Sequence, residues 1–374
     1  MYLLISALIF GSLTLLTFLI VTRDKDGNLA ANRWFGVFLM GCTGMALDNA
    51  FFAFGIYRQM PHLIGISDIL FFIIAPSFFL SVRCFTFPAV RMTWQQGLHF
   101  IPALLFALSQ LSFFLTDATT KRDLVAEALD TWNWRIFFYI LLLQFIIYME
   151  LSLRLLHQHQ HHIRLFAATL EPIHLHWLQR TAYGTVFLAL LWFGDQLLPF
   201  FEPIARVGYV FGIFYVAHYS LNQRVIFPFS KEVKAEIAAL IETADAPKSE
   251  KRKLFSAEEL DLRKAQLLQW MELEKPYLEN DLSLPSLAQQ LQLSTNELSY
   301  LLNEGFNENF FQFINRYRVE ESKRLLSSPA HAHLNMVGIA YEAGFNSKTV
   351  FNTHFKKVTG ISPSEFRQTA IHNN

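Results

Sequence analysis

Long apolar runs separated by short polar segments dominate the first 221 positions of the chain. Each run approaches the roughly 20 residues that a helix needs to cross a bilayer, and none shows a polar stripe. Trp34, Trp134 and Trp177 stand at the edges of such runs, as interfacial aromatic residues do. The pattern predicts seven transmembrane helices. The predicted spans are Tyr2–Val21, Trp34–Phe54, Leu63–Phe85, Leu98–Thr116, Trp134–Leu153, Trp177–Pro199 and Pro203–Leu221.

After residue 225 the pattern changes, and apolar residues recur with helical spacing between charged ones. Residues 230–242 predict an amphipathic helix, and residues 246–253 predict a charged hinge broken by Pro247. Ser256 and Glu259 have capping-box spacing, and the helix they begin either dimerises or packs on the domain that follows. We therefore expect an all-α chain. Its predicted parts are a seven-helix transmembrane bundle (1–225), a juxtamembrane linker and helix (226–273) and a soluble domain (274–374).

The soluble domain contains a first helix-turn-helix pattern near residue 290. Leu287, Ala288 and Leu291 form an apolar stripe, and a turn follows at residues 292–293. Ser294 then has the position of an N-cap for a second helix, which is predicted to reach about Asn303.

A second helix-turn-helix pattern lies between residues 336 and 359. Gly344 can take the positive φ of a tight turn, and Asn346 or Ser347 can cap the helix that follows. Phe351 and Phe355 lie one turn apart on one face of that helix, so its polar residues face elsewhere. A polar face of this kind is where a recognition helix meets base edges.

A predicted linker helix from about Phe310 to Leu326 joins the two patterns, and residues 360–363 read Gly-Ile-Ser-Pro. Over about residues 275–367 the chain resembles the AraC/XylS family of transcription regulators, including members in which a membrane bundle replaces the usual cupin-like domain. The resemblance implies two recognition helices that reach successive major-groove turns of double-stranded promoter DNA. The residues expected to contact DNA are Asn296, Ser299, Tyr300, Ser347, Lys348, Thr349, Asn352, Thr353, Lys356 and Lys357.

The distribution of charge favours one of the two motifs for DNA contact. The chain has 31 basic and 31 acidic residues, so it exerts no strong general attraction on phosphates. Between His331 and Asn374, four basic residues oppose the two acidic residues Glu342 and Glu365. We therefore expect the second motif to lead DNA contact.

Loop charges also predict the orientation of the bundle. With the amino terminus outside, the inner loops hold eight cations, whereas the outer loops hold fewer cations and several acids. Seven spans then return the carboxyl terminus to the cytoplasm of a bacterium, beside the inner membrane. The inner cations are Arg23, Lys25, Arg33, Arg83, Arg91, Arg154, Arg164 and Arg180; the outer charges are Arg58, Lys121, Arg122, Asp117, Asp123, Glu127 and Asp130, with Arg135 and Arg206 at span edges.

Several polar residues fall within the predicted outer half of the membrane. Charges at this depth are costly and usually face a cavity or each other. They predict either a pocket for a small polar or amphipathic ligand, or a salt bridge that fixes helix packing. The residues are Asp48, Asn49, Asp68, Asp195 and Arg206.

The loop after the fifth span is rich in histidine. His157 and His161 lie one helical turn apart, which suits a metal ion or a pH sensor, but we favour a solvated interfacial loop. His159, His162, His174 and His176 lie nearby. Cys42 and Cys84 are expected to act as small buried hydrophobes. We predict no metal and no cofactor.

The sequence thus predicts a membrane-embedded, one-component transcription regulator that senses a small-molecule or envelope signal, and that can act as a homodimer. It contains no recognisable catalytic motif, so we expect no enzyme activity. Two other interpretations remain. The bundle is a transporter or membrane enzyme with a self-regulating DNA-binding tail, or it is a passive anchor.

Overall fold

The computed structural model describes residues 2–22, 29–87, 93–121, 132–168, 175–195, 201–222, 231–245 and 253–372. Within these ranges the chain is all-helical, as predicted, apart from one isolated β-bridge between Ala167 and Ser283. It divides into two compact units. The first contains residues 1–158 and 175–228, and the second contains residues 159–174 and 229–374.

The first unit is built from nine described helices. They are α1 (Tyr2–Thr22), α2 (Leu29–Ala53), α3 (Ile56–Gln59), α4 (Asp68–Thr86), α5 (Ile101–Ser109), α6 (Leu111–Leu115), α7 (Trp132–Phe166), α8 (His176–Asp195) and α9 (Phe201–Leu221). The last residues of α7, from His159, belong to the second unit.

Six of the predicted spans coincide with one long helix each, while the fourth differs. There a 3₁₀ helix at Trp94–Phe100 precedes α5, and α5 ends at Ser109, with Gln110 separating it from α6. Pro102 in the first turn of α5 starts a new helix, because proline lacks the N–H that an uninterrupted helix would use. Within the described ranges, four helical segments are long and apolar enough to cross a membrane: Leu4–Thr22, Leu29–Ala53, Pro61–Thr86 and Ile136–Phe166.

Helix α2 packs against both α1 and α4. Its contact with α4 is close at Gly44, where a Cβ atom would lie 2.2 Å from Cδ1 of Leu70. A small residue at this position lets the two backbones approach, as is common where apolar helices pack without a hydrophobic driving force. Phe78 of α4 and Phe38 of α2 fill the neighbouring space with ring centroids 5.0 Å apart.

The second unit contains the remaining helices of the described chain. They are α10 (Lys231–Asp245), α11 (Ala257–Leu273), α12 (Leu284–Gln290), α13 (Thr295–Phe306), α14 (Phe310–Leu326), α15 (Met336–Glu342), α16 (Lys348–Thr359) and α17 (Pro363–His372). Ser256 caps α11, and α14 begins with a capping box between Asn309 and Gln312. The predicted hinge at 246–253 lies outside the described residues, except for Lys253.

Helix α14 is the centre of the second unit, because α15, α16 and α17 all pack against it. Its core partners include the fully buried Phe345, Phe351 and Phe355. The helix therefore supports the second helix-turn-helix motif through its apolar core.

Candidate nucleic-acid interface and bundle cavity

The second motif has the predicted turn. Gly344 has φ of 87°, and a Cβ atom there would lie 2.2 Å from the Tyr277 carbonyl oxygen, so only glycine fits. Ser347 caps α16 by accepting a hydrogen bond from the Val350 N–H at 3.3 Å. Asn346, the other candidate cap, instead donates to the Asp281 carboxylate at 3.2 Å.

Two buried aromatic residues fix which face of α16 is exposed. Phe351 and Phe355 have no solvent exposure, and their ring centroids lie 5.6 Å apart. Asn352 is half-buried beside them. The remaining predicted contact residues of this helix are exposed, and they are Lys348, Thr349, Thr353, Lys356 and Lys357. The surface of α16 thus offers hydroxyl groups, an amide and three ammonium groups.

The first motif is built as predicted, but its reading helix is covered. Ser294 and Glu297 form a capping box at the start of α13. Ser299 is only 7% exposed, and the Asn296 side-chain oxygen is buried without a partner among the described residues. The half-buried Tyr300 packs edge-on against Phe255 with ring centroids 5.7 Å apart. The three predicted base-contacting residues of this motif therefore have little open surface.

Helix α10 provides part of this cover, because it packs on α13. The Glu236 carboxylate accepts hydrogen bonds from the Thr295 hydroxyl at 2.6 Å and from the Thr295 N–H at 3.3 Å. Ile237 and Ile241 of α10 are almost completely buried. A carboxylate at the first turn of a recognition helix occupies a position where a helix N-terminus can bind a DNA phosphate.

Arg318 of α14 is a buried cation that sequence reasoning did not single out. It is 1% exposed, and its guanidinium donates to the carbonyl oxygens of Tyr277 and Glu279 at 2.8 Å each and of Ala168 at 3.4 Å. Burial lowers the pKa of this guanidinium to about 10, although the charge of Asp281 opposes the shift.

Residues 159–168 dock on the same side of α14. Asn315 also donates to the Ala168 carbonyl, at 3.2 Å, and the Ala168 N–H donates to the Leu282 carbonyl at 3.4 Å. Because Ala168 follows α7 by two residues, this contact ties the end of α7 to the linker helix α14 between the two motifs.

His354 of α16 faces the interior of the second unit. Its ring packs edge-on against Phe311, with centroids 4.9 Å apart. Burial lowers the pKa of His354 to about 4, and the charges of Lys357, Arg164 and Arg318 act in the same direction. The imidazole is therefore neutral near pH 7.

The predicted outer polar residues are only partly described. Asp48 accepts hydrogen bonds from the hydroxyl groups of Tyr57 and Ser67, the latter at 2.6 Å. Asn49 donates to the Met45 carbonyl at 3.0 Å, and Asp68 begins α4. The side chains of two further candidates, Asp195 and Arg206, lie outside the described residues, although their backbones are helical.

The first unit contains a cavity of about 600 Å³ between α1, α2, α4, α7, α8 and α9. Asn49 lines it, but Asp48 and Asp68 do not. The other lining residues are mainly aliphatic and aromatic, with Arg180 at the start of α8.

The histidine-rich segment divides between two environments. His157 is exposed and contacts the Leu153 carbonyl at 2.8 Å, whereas His159 and His162 are buried. His174 lies outside the described residues. Among the residues that the structure describes, no group of three or more His, Cys, Asp or Glu side chains is arranged to hold a metal ion. Cys42 and Cys84 are half-buried free thiols.

Comparison with known proteins supports the DNA-binding assignment. A protein-family profile described as a helix-turn-helix domain matches residues 287–369. The arabinose operon regulatory protein of Escherichia coli is 30% identical over 89 residues, which cover 24% of this chain and 30% of that protein. The transcriptional activator RhaS of Salmonella paratyphi B is 27% identical over 210 residues, or 51% of this chain and 67% of that protein.

One further relative and one solved structure are also similar to part of this chain. An uncharacterised transcriptional regulator, YdeC of Bacillus subtilis, is 27% identical over 106 residues. The C-terminal domain of the response regulator yesN from Fusobacterium nucleatum is 30% identical and is covered over 98% of its length by 28% of this chain, with a TM-score of 0.25. The chain spans about a third of the length of the first curated relatives that it matches.

The tandem helix-turn-helix fold and these similarities define the carboxyl-terminal part as the DNA-binding domain of a transcriptional regulator. This carboxyl-terminal domain is of the AraC type, as its motifs indicated.

Proposed function

We propose that this protein is a membrane-embedded, one-component transcription regulator that acts by binding and not as an enzyme. The observation that carries the proposal is the exposed polar face of α16, which buried Phe351 and Phe355 hold outward. Lys348, Thr349, Asn352 and Thr353 read bases there, while Lys356 and Lys357 attract phosphates. Asn296, Ser299 and Tyr300 read a second half-site, and Ser347 orients α16 as its cap.

The bundle crosses the bacterial inner membrane seven times, with its amino terminus outside and the DNA-binding domain in the cytoplasm. Four long apolar helices support this placement, as do the helices at the other predicted spans. The excess of cations in the predicted inner loops supports the orientation. A second copy of the chain would supply a second pair of motifs for a repeated operator.

The bundle receives a small-molecule or envelope signal. Asp48, Asn49, Asp68, Asp195 and Arg206 remain our candidates for the polar part of the receiving site, because charges at membrane depth usually serve a cavity or a partner. Asn49 supports this assignment most directly, since it lines the bundle cavity.

The signal reaches DNA through two contacts within the second unit. The end of α7 is held to α14 through Ala168, and α10 covers α13 through Glu236. A change in α7 would alter the support of the linker helix, and release of α10 would expose the first recognition helix. Both contacts bias an equilibrium between covered and open states.

The test uses the full chain in lipid nanodiscs and a library of fragments from the source genome. Retained DNA should converge on a few sequences, and the double variant Lys348→Ala, Asn352→Ala should bind them at least tenfold more weakly, because a base contact contributes about 1 to 3 kcal/mol. Lys356→Ala should instead weaken selected and random DNA alike. Retention of random DNA alone, or an equal loss on both DNA classes in the double variant, would contradict the proposed reading role.

A further inference from the structure

The bundle cavity has an elongated shape. Its lining extends along α1 from Ser6 to Leu16 and along α8 from Arg180 to Phe193. At about 1.5 Å per residue, these stretches measure roughly 15 and 20 Å. Its volume of about 600 Å³ falls within the range of roughly 300 to 1,000 Å³ that is typical of small-molecule sites.

The chemistry of the lining is strongly asymmetric. Side chains such as Leu13, Phe38, Ile74 and Leu188 give it an apolar surface over most of its length. Among the described residues that line the cavity, one is charged, and it is the cation Arg180. A ligand that matches this surface has a long apolar body and one negative charge.

The cation lies at one end of the cavity. Arg180 and Thr181 are near the start of α8. Tyr215 is near the end of the neighbouring α9, and its phenol interacts electrostatically with Arg180. Under the proposed orientation this is the cytoplasmic end. The exposed Arg180 guanidinium can therefore meet a hydrated headgroup while an attached chain extends into the apolar part.

A further polar atom lies along the cavity. Gln144 is 7% exposed, and its amide nitrogen donates to the Phe72 carbonyl at 3.0 Å. Its side-chain oxygen is buried without a partner among the residues that the structure describes. Burying an acceptor without a hydrogen-bond donor costs roughly 1 to 3 kcal/mol. A ligand with a hydroxyl or amide group that donates to this oxygen would remove that cost.

We propose that this cavity binds a single-chain amphiphile with an acidic headgroup, with its chain among the apolar residues and its headgroup at Arg180. The inference rests on the membrane placement proposed above and names the class of signal that the bundle receives. The same chemistry can come from a free long-chain acid or from a lipid of the bilayer, and the experiment separates the two sources.

Trp192 lines the cavity, so quenching of its fluorescence can report a ligand bound there. The full chain, reconstituted in phosphatidylcholine nanodiscs, is titrated with a dibrominated stearate, whose bromine atoms quench tryptophan on contact. The Trp192→Phe variant supplies the background from the other six of the seven tryptophans. A parallel series contains dibrominated phosphatidylglycerol, an acidic bilayer lipid with two chains, in place of the acid.

Two variants test the two halves of the site. Arg180→Gln should raise the midpoint of quenching about tenfold, which corresponds to about 1.4 kcal/mol. Gly184→Leu should abolish saturable quenching, because a Cβ at this lining position meets no atom within 4 Å and a longer side chain can enter the cavity. Gly11→Leu is the matched control, since Gly11 has equally open surroundings and does not line the cavity.

The expected result is saturable quenching of Trp192 by the acid, lost in Gly184→Leu and kept in Gly11→Leu. Equal quenching by the brominated phospholipid would show a groove filled by bilayer lipid and would overturn the proposal. A midpoint unchanged in Arg180→Gln would also overturn it. Circular dichroism confirms that each variant is folded. If the chain does not enter nanodiscs, the membrane placement fails; if it enters them without saturable quenching, this inference alone fails.

Discussion

Replacing Glu236 by glutamine should increase the affinity of the full chain for its promoter DNA. In the structure, one oxygen of the Glu236 carboxylate accepts from both the hydroxyl and the N–H of Thr295, at 2.6 and 3.3 Å. The contact lies at the amino terminus of α13, where the helix dipole favours a negative charge. Glutamine keeps an acceptor of the same shape but removes the charge, so the cover over the first motif weakens.

The size of the effect follows from the loss of charge. A hydrogen bond to a charged group contributes about 1.5 to 3 kcal/mol, against about 0.5 to 1.5 kcal/mol for a neutral one, and the dipole adds a few tenths. Because Glu236 is half-buried, we expect the covered state to lose about 1.4 kcal/mol of stability, near the lower end of this range. This loss changes the equilibrium constant between the covered and open states about tenfold. The apparent Kd for DNA equals the intrinsic Kd divided by the fraction of molecules in the open state. Where the covered state predominates, a tenfold shift toward the open state raises this fraction about tenfold, so the apparent Kd should fall about tenfold.

Fluorescence anisotropy with a labelled promoter fragment measures this change. Glu258→Gln is the control, because it removes one negative charge from an exposed position in the same unit. Any general gain in DNA affinity from lower repulsion of the phosphates appears in both variants. The ratio of the two Kd values therefore measures the effect of weakening the contact between α10 and α13. Equal Kd values for the two variants would refute the covering role of α10.

Four further predictions concern other parts of the molecule. Arg318→Met should lower the free energy of unfolding by about 3 kcal/mol, measured by denaturant titration, because it removes the hydrogen bonds from a buried guanidinium to three carbonyl oxygens. His354 has a folded-state pKa of about 4, below its usual 6.5, so the unfolded chain binds the extra proton and stability should fall as pH drops from 6.5 to 4. His354→Gln should flatten that slope in thermal melts. A periplasm-active reporter should work when fused after Ala126 and fail after Leu221, and the reverse pattern would overturn the orientation. Asp68→Asn should abolish the signal response at normal protein abundance if Asp68 serves a pocket, whereas a purely structural role should reduce abundance on an immunoblot.

The sequence predicted the features of the DNA-binding domain that depend on neighbouring residues. Positive φ at Gly344, the cap at Ser347 and the burial of Phe351 and Phe355 all follow from spacing within a few positions, and the structure confirms them. The same local logic predicted the long helices of the first unit, since a helix satisfies its own backbone hydrogen bonds throughout an apolar run of about 20 residues.

Contacts between distant parts of the chain were not predictable in this way. Glu236 is 59 positions from Thr295, and Ala168 is 150 positions from Arg318. The spacing of residues along the sequence does not indicate which distant residues form such a contact. From the sequence, Glu236 is only one of several charged residues on an amphipathic helix. The expectation of an open first recognition helix came from the motif alone, and the motif does not report what packs on its polar face.

The break in the fourth predicted span has a similar origin. Hydropathy alone treats residues 98–116 as one run, although Pro102 and Gln110 divide it into separate helices. The cavity was also invisible in the sequence, because its lining comes from six helices and its outline depends on their packing. Among the predicted pocket residues whose side chains the structure describes, only Asn49 is found in the lining.

The central claim is that one chain is embedded in a membrane and reads a specific DNA sequence from there. It is tested most directly by capturing DNA on membranes isolated from cells that express the full chain, after washing at alkaline pH to remove peripheral proteins. We expect the washed membranes to retain a specific promoter fragment, and membranes carrying Lys348→Ala with Asn352→Ala to lose it while holding the same amount of protein. Recovery of the chain in the soluble fraction, or retention of the fragment by the double variant, would contradict the claim.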